Sequence, residues 1–149
     1  MPVSPIPAGY ATLTPGCTLA GAARAIDVYR QVFGAVELAR FDAPDGSVAH
    51  AELGFGDSRL MLGEPSEQLP PHGARLMMYV ADVDALFAKA VAAGFTVKQP
   101  LAVQFWGDRT GRVEDPFGNE WYLATHVEDV SEAEMIEPRP PAPGAPMTG

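Results

Sequence analysis

An internal repeat, legible in its turns and strand starts, constrains this chain more than any other feature of its sequence. The later copy is clearest over residues 104–126, QFWGDRTGRVEDPFGNEWYLATH. Pro116 fixes its own φ and pushes Asp115 out of the helical region, so a strand over 109–114 must stop there and a new one can begin at Glu120. Gly107 and Asp108 supply the preceding reversal, because Gly accepts positive φ and Asp can bond its own backbone. In the earlier copy, Phe55-Gly56-Asp57 precedes Arg59-Leu60-Met61-Leu62 as Phe117-Gly118-Asn119 precedes Trp121-Tyr122-Leu123, and Pro44-Asp45-Gly46 marks the earlier turn. Each copy opens with a strand and a helical segment, 22–34 in the first and 83–94 in the second, giving the order β-α-β-β-β twice.

The expected elements follow from periodicity. A first strand over 10–15 alternates Thr12 and Thr14 with Ala11 and Leu13, and 16–21 then leads into the first helix. Ala22, Ile26, Tyr29 and Phe33 recur at helical spacing as a buried stripe, and Gly34 is a natural stop. Strands are expected at 36–41, 47–55 and 58–63. The stretch 64–73, EPSEQLPPHG, reads as the linker between copies. A strand at 75–80 opens the second copy, Asp82 caps a helix with Val83, Leu86, Phe87, Ala90 and Val91 on its apolar face, and Gly94 ends it. Strands at 96–105, 109–114 and 120–125 complete the unit. The fold class is therefore α+β. A Pro-rich lead occupies 1–9, one domain spans 10–130 with units at 10–63 and 74–126, and the tail 131–149 is a short acidic helix followed by a Pro-rich end.

Composition limits the function. A chain of 149 residues can bury about 68 to 70% of its unfolded surface without staples. Cys17 is the lone cysteine, so no internal disulfide forms and a cytoplasmic protein is the economical expectation. No apolar run approaches the roughly 20 residues of a membrane span, and neither a membrane nor a secretory leader is expected. The net charge is −9, of which −4 falls from Val127 onward, and the ten Lys and Arg form no run or stripe. Nucleic acid is excluded as a natural partner, since phosphate binding needs a basic patch.

The residues that carry a family resemblance are Ala25-Ile26-Asp27-Val28-Tyr29 with Phe33-Gly34-Ala35, His50-Ala51-Glu52-Leu53-Gly54 leading to Gly56-Asp57, Leu60-Met61-Leu62, and Phe105-Trp106-Gly107-Asp108-Arg109 with Asp115-Pro116-Phe117-Gly118. Together and in this order they resemble the glyoxalase/bleomycin-resistance/extradiol-dioxygenase group, the vicinal oxygen chelate superfamily, over about residues 10–130. The resemblance implies that each β-α-β-β-β unit curls into half of a cup-like mixed sheet around a small-molecule site, and that chains pair as homodimers. Enzymes of the group hold a divalent metal in the cup. The family pattern puts the ligand positions at Thr14, Met61 (or Leu60, if the repeated Phe-Gly sets the register), Arg75 and Tyr122, with separations of 47 in both copies. None is an ordinary ligand for a hard or borderline ion.

The resulting expectation is a cup with no metal or other cofactor, binding a planar or aromatic compound through Thr14, Met61, Arg75, Tyr122 and Trp106. Arg supplies fixed donors, Met adapts its shape and the aromatics give flat faces. Two other classes stay open. One is a metal-dependent lyase, isomerase or dioxygenase with its site moved to His50, Glu52 and Glu120, the first two sharing a strand face. The other is an interaction module whose cup is filled by its own side chains. His72 in the linker is expected to be solvated and His126 at the final strand's end to be a structural hydrogen-bonding partner, and no nucleophile motif occurs.

Overall fold

A computed structural model describes residues 2–136; the Pro-rich end at 137–149, expected to be extended, lies outside the described residues. The chain divides into two compact units at Ala74 and Arg75. The first comprises β1 (Gly16–Thr18), α1 (Ala22–Phe33), β2 (Val36–Asp42), β3 (Val48–Phe55) and β4 (Ser58–Gly63). The second comprises β5 (Arg75–Tyr79), α2 (Val83–Ala92), β6 (Thr96–Val103), β7 (Asp108–Glu114), β8 (Glu120–His126) and the short α3 (Glu132–Ile136).

Each unit builds one four-stranded mixed sheet, with strand orders β1-β4-β3-β2 and β5-β8-β7-β6. The topology is the same in both. The first strand runs parallel to the last, which requires a crossover, and the helix supplies it; the other pairings are antiparallel hairpins. The register repeats as well, since Gly16 faces Met61 and Arg75 faces Glu120, both 45 residues apart.

One expected strand moves. Residues 10–15 are irregular, and β1 begins at Gly16, with Pro15 contributing only its carbonyl, to the Met61 N–H at 3.0 Å. Pro15 has no N–H to give a ladder, and the apparent alternation buries nothing, for Leu13 is 83% exposed. The other boundaries shift by two residues at most. At 104–107 the chain turns on Gly107, at φ 98°, and Asp108 already belongs to β7.

The helices pack on one face of each sheet by the same physical rule and to different depths. In α1, Ala22, Ala25, Ile26, Tyr29 and Val32 are buried, and the Tyr29 and Phe33 rings meet Phe55 at 6.4 and 6.1 Å. Phe33, expected in the stripe, is half-buried at the helix end. In α2 only Val83 and Ala90 are buried. There Gly111 of β7 leaves room for Phe87, whose Cε2 lies 2.7 Å from where a Cβ would stand. Both helix N-termini are capped from the end of the last strand. Glu64 accepts from the Gly21 and Ala22 N–H groups at 2.9 and 2.8 Å, and Thr125 Oγ1 accepts from the Val83 N–H at 2.9 Å. Asp82 adds the expected cap on the Ala85 N–H. The interior turn at Asp115 is closed by its carboxylate, which accepts from the Phe117 and Asn119 N–H groups and from Trp121 Nε1. No helix among the described residues is long and apolar enough to cross a membrane.

Candidate functional site

Strand alternation sends one set of side chains to the helix and the other to the opposite, open face of each sheet. On the first sheet the open face carries His50 and Glu52 from β3, Arg59 and Met61 from β4, and Gly16 and Thr18 from β1, because Glu52 faces Met61 and Gly54 faces Arg59 across the hairpin. A cleft of about 440 Å³ opens there beside Thr18, His50, Met61, Leu69, Pro70 and His72. Its far wall is the linker. His72 bridges Thr18 through both backbone groups at 3.0 Å, and Thr18 Oγ1 donates to the Pro70 carbonyl.

The rest of this face is occupied by the chain itself. Tyr10 donates its hydroxyl to Glu52 Oε1, and the Arg59 guanidinium lies 4.1 Å from the centre of the Tyr10 ring. Arg59 Nε also donates to the Gly9 carbonyl at 3.0 Å, and Arg59 Nη1 sits 3.5 Å from Glu52. Under this strap Glu52 is only 6% exposed. The Tyr10 hydrogen bond holds its carboxyl below the ordinary range against the opposing effect of burial, with help from His50 and Arg59, and the same bond raises the Tyr10 phenol. His50 Nε2 is 3.6 Å from Glu52 Oε2, and its ring stacks on Phe41. Thr14 lies in the irregular stretch before β1, outside the ladder.

The second sheet bears the same positions with different chemistry. Arg112 faces Tyr122, Met77 faces Tyr122 from the other side, and Arg75 faces Glu120. Arg75 Nε and Arg112 Nη1 both donate to Glu120 Oε2, at 2.8 and 3.1 Å. These bonds, that from Arg75 first, lower the Glu120 carboxyl. The Arg112 guanidinium is 5.6 Å from the Tyr122 ring centre. Arg75 is 71% exposed, and Met77 and Tyr79 beside it also stand in the open.

Trp106 belongs to another cluster on the same sheet. Its indole N–H donates to Asp108 Oδ2 at 2.9 Å, Tyr79 donates to the same oxygen at 2.7 Å, and His126 Nδ1 meets Oδ1 at 2.8 Å. Burial pushes the Asp108 carboxyl up, but the bonds from His126, Tyr79 and Trp106 outweigh it and leave it lowered. His126 reaches Asp129 with its other nitrogen at 2.7 Å; that contact and the one to Asp108 raise its imidazole.

The structure thus brings Met61, His50 and Glu52 together on one sheet, and Arg75 and Tyr122 with Glu120 on the other. Tyr10, Arg59, Arg112 and Met77 escape a reading by composition and motif. Three of them carried a signal: Arg59 is two residues from Met61, Met77 is two from Arg75, and Arg112 lies opposite Tyr122 once the hairpin is counted through the turn at 115–119. Tyr10 carried none, since its place depends on a chain segment with no regular structure. Among the described residues no group of three His, Cys, Asp or Glu is placed to hold a metal ion.

Residues 20–123 match the family model of the Glyoxalase/Bleomycin resistance protein/Dioxygenase superfamily, and the chain belongs to that superfamily. It is similar to an uncharacterized protein of Mycobacterium bovis, 39% identical over 136 residues that cover 83% of this chain and 88% of that one. Among solved structures, TioX from Micromonospora sp. ML1 is 28% identical with a TM-score of 0.68, over 79% of this chain and all of that one. TnmS3, an antibiotic binding protein from Streptomyces sp. CB03234, is 23% identical with a TM-score of 0.61 over 78% of this chain and 99% of that one, a likeness of fold.

Proposed function

We propose that this chain binds a small planar or aromatic organic molecule on the open faces of its sheets, without a metal ion and without altering the molecule. The observation that carries this reading is the state of the two carboxylates a divalent ion would need. Glu120 already receives two guanidinium donors on one oxygen, and Glu52 receives a phenol with a guanidinium close by. A cation brought to either would displace those bonds and face Arg75, Arg112 or Arg59 at short range, so the donor set does not fit a divalent ion. The exposed Arg75 and Met77 and the half-buried Tyr122 ring, with Met61 on the first sheet, suit a flat apolar ligand with an acceptor group. TnmS3, an antibiotic binding protein of similar fold, agrees with this reading without carrying it.

The rival is a metal-dependent lyase, isomerase or dioxygenase built on His50, Glu52 and Glu120, favoured only by the approach of His50 to Glu52. Elemental analysis separates the two: one metal per chain, lost in His50→Ala, establishes the rival. The binding reading is tested by screening a compound library by thermal shift with and without divalent ions, then measuring Arg75→Ala. Removing so exposed a side chain changes stability by no more than about 1 kcal/mol, whereas affinity for the hits falls about ten- to a hundredfold. Unfolding of Arg75→Ala, or unchanged affinity for every hit, rejects the reading. The same proposal includes a homodimer, because each sheet has two edge strands and apolar residues such as Phe41 and Val97 are exposed on β2 and β6, and a cytoplasmic location, because a chain with Cys17 as its lone cysteine forms no internal disulfide. Light scattering at monomer mass in dilute solution removes the dimer.

A further inference from the structure

The two open faces carry a diagonal charge pair at the same register positions with reversed polarity. In the first unit the carboxylate is on the third strand (Glu52) and the guanidinium on the fourth (Arg59); in the second, Arg112 stands on the third and Glu120 on the fourth. Met61 and Tyr122 occupy the matching position between them. The first face displays what such a pair recognises, for its occupant is an aromatic ring on the guanidinium with a hydroxyl donating to the carboxylate. Its own Tyr10 fills that place.

On the second face the Arg112 guanidinium lies 5.6 Å from the centre of the Tyr122 ring within the sheet, and the donors to Glu120 among the described residues are the two guanidiniums rather than a hydroxyl. Arg75 extends the pair with a second guanidinium, and the terminal nitrogens of Arg75 make no hydrogen bond to a described residue. Arg112 Nε is buried with no acceptor among the described residues, a rare state for a charged donor in a folded protein. Lys98 engages Glu114 at 3.1 Å beside the pair, so the five charged groups Arg75, Lys98, Arg112, Glu114 and Glu120 sum to +1. That is the opposite sign to a chain whose net charge is −9.

We propose that the ligand of the second unit is an aromatic monoanion, a ring bearing a carboxylate or an equally flat oxyanion, that stacks on Tyr122 and presents its oxygens to Arg75 and Arg112. The assignment rests on the binding reading above and adds the charge and the place. Planar oxyanions match the guanidinium fork in geometry, and the terminal nitrogens of the open Arg75 and the part-exposed end of the Arg112 guanidinium are the donors on offer. A neutral ring leaves both unmet, and a cationic ring meets two guanidiniums.

Three isosteric probes test it, namely 2-naphthoate, 2-naphthamide and 2-naphthylmethylammonium, titrated by calorimetry and by NMR of the arginine Nε–Hε signals. The expected result is that naphthoate binds at least about tenfold more tightly than naphthamide, as one charge-assisted hydrogen bond predicts. The ammonium probe does not bind, the Arg75 and Arg112 signals shift, and affinity weakens as salt rises from 0.05 to about 0.5 M. Arg75→Gln and Arg112→Gln each erase the preference for the anion; Arg75→Gln, at an exposed site, retains the unchanged thermal melt if Arg112→Gln does not. Equal binding of naphthoate and naphthamide, or shifts confined to Arg59, overturns this inference and leaves the binding reading standing. Failure of all three probes and of the whole library overturns both.

Discussion

The two halves share a topology, a register and a way of capping their helices, yet they spend their apolar and polar side chains differently. The first half covers part of its open face with its own chain and leaves a cleft beside Thr18, His50 and Met61. Its helix buries five residues against the sheet, and a strap from the N-terminal side closes Tyr10 over Glu52 and Arg59. In the second half the helix buries two, and Arg75, Met77 and Tyr79 are left in the open. One backbone plan therefore supports a stability-bearing half and a half with chemistry to offer, and the difference lies in which side chains occupy equivalent positions rather than in the path of the chain.

The comparison breaks or sharpens first in the cores. Ile26→Ala, at a fully buried site, is expected to cost about 2 to 5 kcal/mol. Leu86→Ala on the half-buried face of α2 should cost only about 1 to 2 kcal/mol. Urea denaturation measures both, and equal losses would refute the unequal packing. The next effect is in the turns. Asp115→Ala strands two backbone donors and the Trp121 indole, for an expected loss of about 2 kcal/mol or more. Asp57, in the two-residue turn of the first half, accepts among the described residues only from the neighbouring Ser58 hydroxyl, and its replacement by Ala should stay within about 0.5 kcal/mol.

The strap gives a subtler test. Tyr10→Phe removes the donor that chiefly holds the Glu52 carboxyl down, so carbon-detected NMR should show that carboxyl titrating at higher pH, with faster proteolysis of the segment before β1. Because the folded pKa of Glu52 is depressed, its contribution to stability is present above the unfolded value of about 4.3 and is lost as pH falls through the folded one. A carboxyl unmoved by Tyr10→Phe would mean that the strap is not what holds it. The smallest effect is alkaline and belongs to the second half. His126 is raised by Asp129 and Asp108, so its contribution is full below about pH 6.5 and disappears as pH rises through the folded value. Asp129→Asn should flatten that part of the melting profile, while leaving in place the acid limb, to which the lowered carboxyls of Glu52, Asp108 and Glu120 all contribute.

The repeat, both helices, the caps at Gly34 and Asp82 and seven of the eight strands were legible in the sequence. Each depends on local rules: a Gly at positive φ, a Pro that ends a strand, apolar spacing of two or of 3.6. The strand expected at 10–15 failed because alternation is necessary for a half-buried strand and not sufficient. Leu13 has no core to enter, and Pro15 interrupts the donors. At the site, Met61, Arg75 and Tyr122 could be placed on faces by counting, but the pairing of Arg75 and Arg112 on one oxygen of Glu120 could not.

The sequence by itself determined the repeated β-α-β-β-β plan, the turn positions and which residues share a strand face, since these follow from backbone sterics and periodicities of a few residues. Only the tertiary structure decided that Tyr10 closes the first face and that the second carries two guanidiniums around one carboxylate with an unmet donor. Those arrangements join residues up to 45 positions apart, with Tyr10 and Glu52 separated by 42 and Arg75 and Glu120 by 45. Distances across a sheet are set by register and by the route of an irregular segment, and neither leaves a periodic trace in the chain.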